Sequence, residues 1–310
     1  MIIRDVFIIM LGLTVVNTFA FELNQSSTNK SIQSCFQTHF KKEKKLCEKS
    51  NICKVSQGIA HGNYKGIQCL AKNNYNFNVQ SRKHKAANIP VIQAASYSNL
   101  KMLDIIFSSK HDINIEVMDK NQWTALVWVS ASIGYLEKTS KEDYFQLRNM
   151  YKTTQFLLKK GANPNAARVK GETLLMFYSK RGIGNFVRLL ISHGADVNKV
   201  TKHRATALME AADEPQIIDD LIDAGANIYT KNKNGELLIF ETAKKCEVYK
   251  TALILLRDKK LLNAVNQKGE TLPELAKSNE KFSECPNIQI VLDNFVNDFN
   301  SIVKKKWGGG

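Results

Sequence analysis

The chain has 310 residues, of which 44% are apolar and 24% are charged, and its formal net charge is +15 at pH 7. This composition is ordinary for a globular protein and excludes a chain that is disordered throughout, while the length allows one or two domains. The positive charge predicts attraction to anionic partners, which include membranes, polysaccharides, nucleic acid and acidic proteins.

The first twenty residues have the features of a secretory signal peptide. Arg4 precedes an apolar run over residues 6–16, and a small-x-small cleavage pattern ends at Ala20. The run is shorter than the roughly 20 apolar residues that a membrane-spanning helix needs. We therefore expect residues 1–20 to be removed on export, to the periplasm or to the outside of the cell. An uncleaved membrane anchor is the alternative.

Residues 21–87 are predicted to form a small basic module that disulfide bonds hold together. Residues 21–88 contain twelve Lys or Arg and three Glu, and the densest basic run covers residues 41–45. An even number of cysteines in an exported protein favours disulfides over free thiols. The spacing fits zinc less well, because closely spaced cysteine pairs are missing. Three pairings remain open among the four cysteines of this module, which are Cys35, Cys47, Cys53 and Cys69.

A repeated pattern follows this module. Similar pentapeptides that begin Gly-Ala occur at Gly161, Gly194 and Gly225, with spacings of 33 and 31 residues. The threonines Thr173 and Thr206, each followed by an apolar residue and Leu, are also 33 residues apart. A fixed period in this range is typical of stacked helical repeats.

The residues of one period predict a helix, a turn, a second helix and an extended loop. Thr206 can accept a hydrogen bond from the first turn of a helix, and Pro215 ends that helix. The apolar residues of the run 217–222 recur at helical spacing. Gly225 can end the second helix in the left-handed conformation, which glycine adopts without strain.

This pattern resembles the ankyrin repeat, which implies an all-α solenoid of about six helix-turn-helix units over residues 88–300. The small cysteine-containing module would precede the solenoid, and residues 301–310 would form a C-terminal tail. The resemblance departs from the family at the histidine that usually follows the Thr-x-Leu start. The residues in its place are Val127, Met176, Met209 and Glu274.

The second unit is about 16 to 18 residues longer than its neighbours, because 37 residues separate Thr124 from Gly161. The extra residues fall at about 134–151, between the two helices of the unit. The stretch 141–151 is amphipathic enough to be helical. Two interpretations remain open, namely a protruding element that contacts a partner and longer helices within the stack.

The resemblance also implies a binding surface, because ankyrin repeats use their loop tips and inner helices. We expect Trp123 and Arg181 to anchor an acidic partner, since these residue types dominate interface hot spots. For Trp123 the alternative is packing against its own loop. The predicted partner-binding residues are Lys120, Asn121, Trp123, Lys170, Glu172, Lys180, Arg181, Lys202, His203, Lys233, Lys244 and Lys245.

The placement of the repeats suggests that Cys246 and Cys285 form a disulfide. Each cysteine falls near the turn after the first helix of its unit, in the last two units. A bridge between them would close a loop of about 40 residues and stabilise the C-terminal end by about 4 kcal/mol in the chain-entropy model.

The sequence contains none of the common catalytic, phosphate-binding or calcium-binding motifs. We therefore expect a non-enzymatic, monomeric protein without cofactor or metal. Its predicted function is to bind a folded protein with an acidic surface, as a secreted effector or a periplasmic inhibitor. The alternative is that the basic N-terminal module binds an anionic membrane or polysaccharide while the repeats serve as a stalk. Nucleic-acid binding is not expected, because no reading helix or stacking motif is present.

Overall fold

A computed structural model describes residues 30–41, 51–78, 89–131, 141–278 and 285–307. The chain forms two compact units, Met1–Ala166 and Ala167–Gly310. The predicted signal peptide and Cys47 lie outside the described residues. Among the helices that are described, none is both long enough and apolar enough to cross a membrane.

The described residues of the first compact unit are helical and contain no β-strand. Its helices are α1 (Lys30–His39), α2 (Asn51–Ala60), α3 (Tyr64–Lys72), α4 (Pro90–Ser96), α5 (Leu100–Phe107), α6 (Ala125–Ala131) and α7 (Lys141–Lys159). Helix α2 packs on α4, which packs on α6, and α3 packs on α5. The helices therefore form stacked pairs, as expected for a repeat.

The second compact unit continues the same plan in residues 167–278 and 285–307. Its helices are α8 (Leu174–Lys180), α9 (Gly184–Ser192), α10 (Ala207–Glu210), α11 (Pro215–Asp223), α12 (Leu238–Lys244), α13 (Val248–Arg257), α14 (Leu272–Ser278) and α15 (Pro286–Trp307). Helix α8 packs on α10, and α9, α11, α13 and α15 pack in succession. Isolated β-bridges, such as Ala167 with Thr173, close the loops that precede the first helices.

Local chemistry fixes the ends of the helices. The Thr173 and Thr206 hydroxyls accept hydrogen bonds from the amides of Met176 and Met209, at 3.2 and 3.3 Å. Each threonine thereby satisfies one amide that the first helical turn leaves without a partner. Gly225 follows α11 with a φ of 90°, so the prediction of a left-handed glycine at this helix end is confirmed.

Residues 51–78 of the predicted N-terminal module form a helix pair that packs on α4 and α5. Asn74 has a φ of 61° and takes the place of the glycine after the second helix. The Asn78 side chain donates to the Asp112 carbonyl at 2.6 Å and accepts from the Asn114 amide at 2.8 Å. Asn198 makes the same pair of bonds to the repeat that follows it.

Part of the extra length of the long repeat, from residue 141 onward, lies in its second helix. Helix α7 has 19 residues, whereas the second helices α5 and α9 have 8 and 9. Residues 132–140 lie outside the described part of the chain. The side chains of Tyr144 and Phe145 are exposed near the start of α7, so this end of the helix retains two aromatic groups that the stack does not bury.

Candidate functional site

A groove runs along the second compact unit, beside the ends of α8, α10 and α12 and the loops that precede these helices. Its volume is about 680 Å³. The loop residues His203, Arg204 and Lys233 line its rim, and Met209 and Ala211 line it from α10 and the residue that follows. Some of the residues that the sequence analysis assigned to a binding face line this groove.

The groove lies beside a first helix that ends early. Helix α10 has only four residues, whereas α8 and α12 have seven each. Ala211 leaves the helical conformation with φ −57° and ψ 134°. The Ala211 carbonyl therefore accepts no hydrogen bond from a continuing helix and needs another donor.

Lys250 of helix α13 supplies that partner. Its side chain is fully buried, and its Nζ donates to the Ala211 carbonyl at 2.6 Å and to Glu247 at 2.8 Å. The Lys250 backbone amide donates to Asp213 at 2.8 Å. A residue of the next repeat thus supplies the hydrogen bond that the shortened helix cannot provide, and this contact holds in place the end of α10 that lines the groove.

Ion pairs line the groove, and in three of them the carboxylate is less exposed than the lysine, whereas in the pair of Lys250 and Glu247 the lysine is the buried partner. The Lys180 side chain is 58% exposed and lies 2.8 Å from that of Glu210, which is 31% exposed. The Lys245 side chain is 53% exposed and lies 2.6 Å from that of Glu241, which is 24% exposed. Lys244 and Glu236 form a third pair with the same order of exposure. The groove therefore presents its ammonium groups outermost.

These contacts shift the pKa values of Lys180, Lys245 and Glu241 in the direction that favours their charged forms. A hydrogen bond to Glu210 raises the pKa of Lys180. Partial burial acts to lower the pKa of Lys245, but the hydrogen bond to Glu241 and the negative charges of Glu241, Glu247 and Glu210 together outweigh it, so the pKa is raised. Burial also acts to raise the pKa of Glu241, and hydrogen bonds from Lys245 and Asn232 bring that pKa below its ordinary value. Both partners therefore remain ionised at neutral pH.

Nine of the predicted partner-binding residues belong to the second compact unit. Five line the groove, namely Lys180, His203, Lys233, Lys244 and Lys245. Around them, Glu172 pairs with Arg168 at 3.9 Å, and Lys170 and Lys202 are exposed on the loops. Arg181 is exposed and lies 5.4 Å from the centre of the Phe177 ring.

Most of the predicted partner-binding residues are basic. The charges that line the groove, in contrast, are nearly balanced. The groove lining includes five Lys or Arg and four Glu. Sequence reasoning missed Arg204 and the carboxylates Glu210, Glu241 and Glu247. The sequence shows Lys or Arg residues close to Glu residues in these segments. Which charged groups of neighbouring repeats pair with each other depends on where helix α10 ends.

The three predicted residues of the first compact unit lie around a buried aspartate. Asp119 accepts hydrogen bonds from the Asn121 and Trp123 amides, both at 2.8 Å, and from the Trp128 indole at 3.1 Å. The rings of Trp123 and Trp128 meet edge to face, with centroids 5.3 Å apart. Trp123 is therefore half-buried against its own repeat, as the alternative interpretation expected, while Lys120 is exposed.

The cysteines form disulfide contacts at both ends of the described chain. The Cα atoms of Cys35 and Cys69 are 5.8 Å apart, which ties α1 to α3. Cys53 is also disulfide-bonded. The Cα atoms of Cys246 and Cys285 are 5.6 Å apart, at the proposed bridge between neighbouring repeats. Both Cα separations fall within the usual range for disulfides.

No group of three His, Cys, Asp or Glu side chains is arranged to hold a metal within the described ranges. The groove instead offers exposed ammonium groups beside carboxylates that are less exposed. This arrangement is suited to binding charged groups.

Comparison with known proteins identifies the repeat. Residues 145–232 match the family model described as ankyrin repeats in three copies. An ankyrin repeat protein of fowlpox virus (strain NVSL) is 36% identical over 103 residues, which are 33% of this chain and 15% of the relative. An ankyrin repeat protein of Acanthamoeba polyphaga mimivirus is 29% identical over 148 residues, which are 46% of this chain and 72% of the relative.

The fold comparison agrees with these matches. The crystal structure of an ankyrin repeat domain from Acinetobacter baumannii AYE has a TM-score of 0.52 and 21% identity. The similarity covers 66% of this chain and 97% of that domain. The chain therefore contains ankyrin repeats, a fold that is generally non-enzymatic and mediates protein–protein interaction. The predicted repeats are confirmed at residues 145–232.

Proposed function

We propose that this protein binds another folded protein through the groove of its second compact unit, without catalysis, and that it acts as a monomer outside the cytoplasm. The observation that carries the proposal is the layered charge of the groove, in which Lys180, Lys244 and Lys245 lie outside the carboxylates that they pair with. The signal-like residues 1–20 and the disulfide contacts support the location, as a secreted effector or a periplasmic inhibitor.

The same layering supports an acidic partner. A carboxylate of the partner that approaches the groove would meet the more exposed lysine ammonium groups before the less exposed Glu side chains. Three lysines on successive loops extend the rim: Lys233 lines the groove, Lys202 directly precedes the lining residue His203, and Lys268 lines an adjoining cavity that shares Asn234, Glu236 and Lys244 with the groove. Among the described residues, no carboxylate pairs with the side chains of these three lysines within 4.0 Å. Unpaired exposed charges of this kind speed association with an oppositely charged partner and make it salt-dependent.

Charge reversal at the rim is expected to weaken partner binding roughly tenfold. Each of Lys202→Glu, Lys233→Glu and Lys268→Glu would remove one exposed attraction of about 0.5 kcal/mol, and together they approach the 1.4 kcal/mol that corresponds to a factor of ten. The measurement begins with a pull-down from host-cell or envelope extract by oxidised residues 21–310. The affinity of the stoichiometric partner is then determined at low and moderate salt.

A matched control carries charge reversals at three exposed lysines away from the rim, Lys199, Lys260 and Lys277. Both triple variants have the same net charge, so a general electrostatic effect would weaken both equally. The groove proposal is wrong if the rim variant binds the partner as tightly as the control does.

A second function is favoured by the charge of the N-terminal helices. Residues 30–41 and 51–78 contain five lysines and no aspartate or glutamate. Lys30, Lys41, Lys65 and Lys72 are exposed. In contrast to the groove, no carboxylate of these segments offsets their charge, which supports binding to an anionic lipid or polysaccharide surface.

Neutralising three of these lysines is expected to reduce binding to phosphatidylglycerol vesicles or heparin at least severalfold. Lys30→Gln, Lys65→Gln and Lys72→Gln preserve the helix pair, whereas deletion of residues 1–87 would expose the faces of α4 and α5 that α2 and α3 cover. Each adsorbed basic residue contributes about 1 kcal/mol at an anionic membrane. Co-sedimentation, with Lys110→Gln, Lys199→Gln and Lys231→Gln as control, decides the question. Equal loss in both variants would argue against a specific N-terminal surface.

A further inference from the structure

One of the disulfide contacts lies directly beside the groove. Cys246 belongs to the turn that joins α12 to α13, and the residues on either side of it, Lys245 and Glu247, both line the groove. The Cα atom of Cys246 is 5.6 Å from that of Cys285, the residue that directly precedes α15. The bond therefore joins the wall of the groove to the beginning of α15.

The turn at Cys246 has a backbone conformation that cysteine rarely adopts. Its φ is 58°, in the left-handed region, and the turns within other helix pairs have Gly62, Ser98 and Gly182 at their left-handed position. A residue with a Cβ atom is strained in this region unless the surrounding structure holds it there. The bond to Cys285 adds a restraint to the hydrogen bonds that the turn makes within its own repeat. We therefore expect the turn to be looser when the bond is absent.

The same turn is connected to the end of α10 through Lys250. The Glu247 carboxylate accepts a hydrogen bond from the buried Lys250 ammonium at 2.8 Å, and this ammonium also donates to the Ala211 carbonyl at 2.6 Å. Ala211 follows the last residue of α10 and lines the groove. A displacement of Glu247 therefore reaches the end of α10 through a continuous series of hydrogen bonds.

The bond also holds the repeat that contains α14 and α15. Helix α15 packs on α13 and on α14. Leu275 of α14, and Lys268 in the loop before this helix, line the cavity that adjoins the groove. Cleavage of the bond removes the covalent link between α15 and the turn at Cys246. It therefore loosens this part of the rim as well as the turn.

The bond beside the groove is accessible to thiols and disulfides in solution. Cys246 is exposed, although Cys285 is only 6% exposed. The contact between Cys35 and Cys69 is less accessible, because Cys35 is 1% exposed and Cys69 is half-buried. Thiol–disulfide exchange requires the attacking group to reach a sulfur atom. A small thiol or disulfide therefore reaches the bond beside the groove more easily than the N-terminal one.

We propose that the bond between Cys246 and Cys285 is a redox switch, and that the groove has its binding form only when this bond is present. The proposal rests on the proposed function of the groove. In the oxidation step the two thiols give up two protons and two electrons to a small disulfide, such as oxidised glutathione, which becomes two thiols. The dithiol form belongs to the reducing compartment before export, and the disulfide form to the oxidising one after it. The groove thus becomes able to bind its partner only after export.

The test measures the binding of a fluorescent oligoglutamate peptide, as an acidic probe, over a series of ratios of oxidised to reduced glutathione. Differential alkylation and mass spectrometry give the bonded fraction of each cysteine pair at each ratio. The variant Cys246→Ser with Cys285→Ser represents the dithiol form under oxidising conditions. The matched control is Cys35→Ser with Cys69→Ser, which removes the N-terminal contact. Circular dichroism establishes that both variants fold.

Binding of the probe is expected to follow the bonded fraction of Cys246 and Cys285. If about one molecule in ten keeps the binding form without the bond, the apparent affinity of the Cys246→Ser with Cys285→Ser variant is about tenfold lower than that of the wild type. The control is expected to bind as the wild type does. The amides of Ala212, Glu247 and Lys250 are hydrogen-bonded in the structure. Their hydrogen exchange is expected to be about tenfold faster in the first variant, and that of α8 and α9 unchanged.

Equal binding by the two serine variants would overturn the proposal. So would exchange that is unchanged at Glu247 and Lys250, or that becomes faster to the same extent in α8 and α9, because the latter indicates a general loss of stability. The rim variant with Lys202→Glu, Lys233→Glu and Lys268→Glu separates this failure from that of the proposed function. If it binds the probe more weakly while loss of the bond has no effect, the groove binds acidic groups without a switch. If it binds as tightly as its own control, the proposed function is wrong and the bond has no binding site to control.

Discussion

Replacing Cys246 and Cys285 by serine is expected to lower the free energy of unfolding of the second compact unit by about 4 kcal/mol. The two cysteines are 39 residues apart in sequence, and their Cα atoms are 5.6 Å apart. A cross-link over a loop of this length removes conformational entropy from the unfolded chain. Serine has nearly the shape of cysteine, so the exposed Cys246 and the buried Cys285 lose little besides the bond.

Native-state hydrogen exchange, together with urea denaturation, measures this effect by segment. Helices α14 and α15 are expected to exchange roughly a thousandfold faster in the variant, because 4 kcal/mol corresponds to about three factors of ten. Wild-type protein under reducing conditions should behave like the variant. If both thiols of the oxidised protein react with an alkylating reagent, or if exchange is unchanged, the bridge does not exist.

The repeat pattern was predictable because each of its signals acts locally. A threonine before an apolar run caps a helix whatever its neighbours are, and Thr173 and Thr206 do so here. Gly225 ends α11 for a reason that is equally local, the low cost of a positive φ in glycine. These features recur at a fixed spacing, so the stack of helix pairs could be inferred without any knowledge of distant contacts.

The helix pair at residues 51–78 was not predictable in the same way. Asn74 adopts the left-handed conformation where three later repeats have Gly161, Gly194 and Gly225, and asparagine tolerates this conformation better than most residues. The Asn76 side chain accepts from the Asn78 amide at 2.9 Å, as the Asp196 side chain does from Asn198. The geometry is kept while the sequence motif is lost, so a search for Gly-Ala-Asp misses it.

The groove shows a different limit of sequence reasoning. Its lysines were found from their positions before and after the first helices, but their partners were not. Glu210 is the last residue of α10, and it pairs with Lys180 of the preceding repeat. The end of α10 depends in turn on Lys250, a residue 39 positions after the carbonyl that it binds. Such a dependence cannot be read from a local pattern.

The stability of the repeat that contains helix α10 should therefore depend strongly on Lys250, a residue outside this helix. Lys250→Ala is expected to lower the free energy of unfolding of the second compact unit by about 3–5 kcal/mol. The substitution leaves a cavity in place of a fully buried side chain, and it removes the hydrogen bond to the buried Ala211 carbonyl and the pairing with Glu247. Urea denaturation of this variant and of the wild type measures the loss.

Lys250→Met separates packing from hydrogen bonding, because methionine fills most of the same space. Replacing a buried ion pair entirely by apolar groups can be neutral, but here the Ala211 carbonyl would remain buried without a donor, at a cost of about 1–3 kcal/mol. Lys245→Met is the matched control: Lys245 is 53% exposed and forms an ion pair with Glu241, so its loss should cost at most about 1 kcal/mol. If Lys250→Met proves as stable as the control, the hydrogen bond to Ala211 does not maintain the shortened helix. If it is destabilised and partner binding to the groove also weakens, the buried lysine stabilises the repeat and maintains the shape of its binding surface.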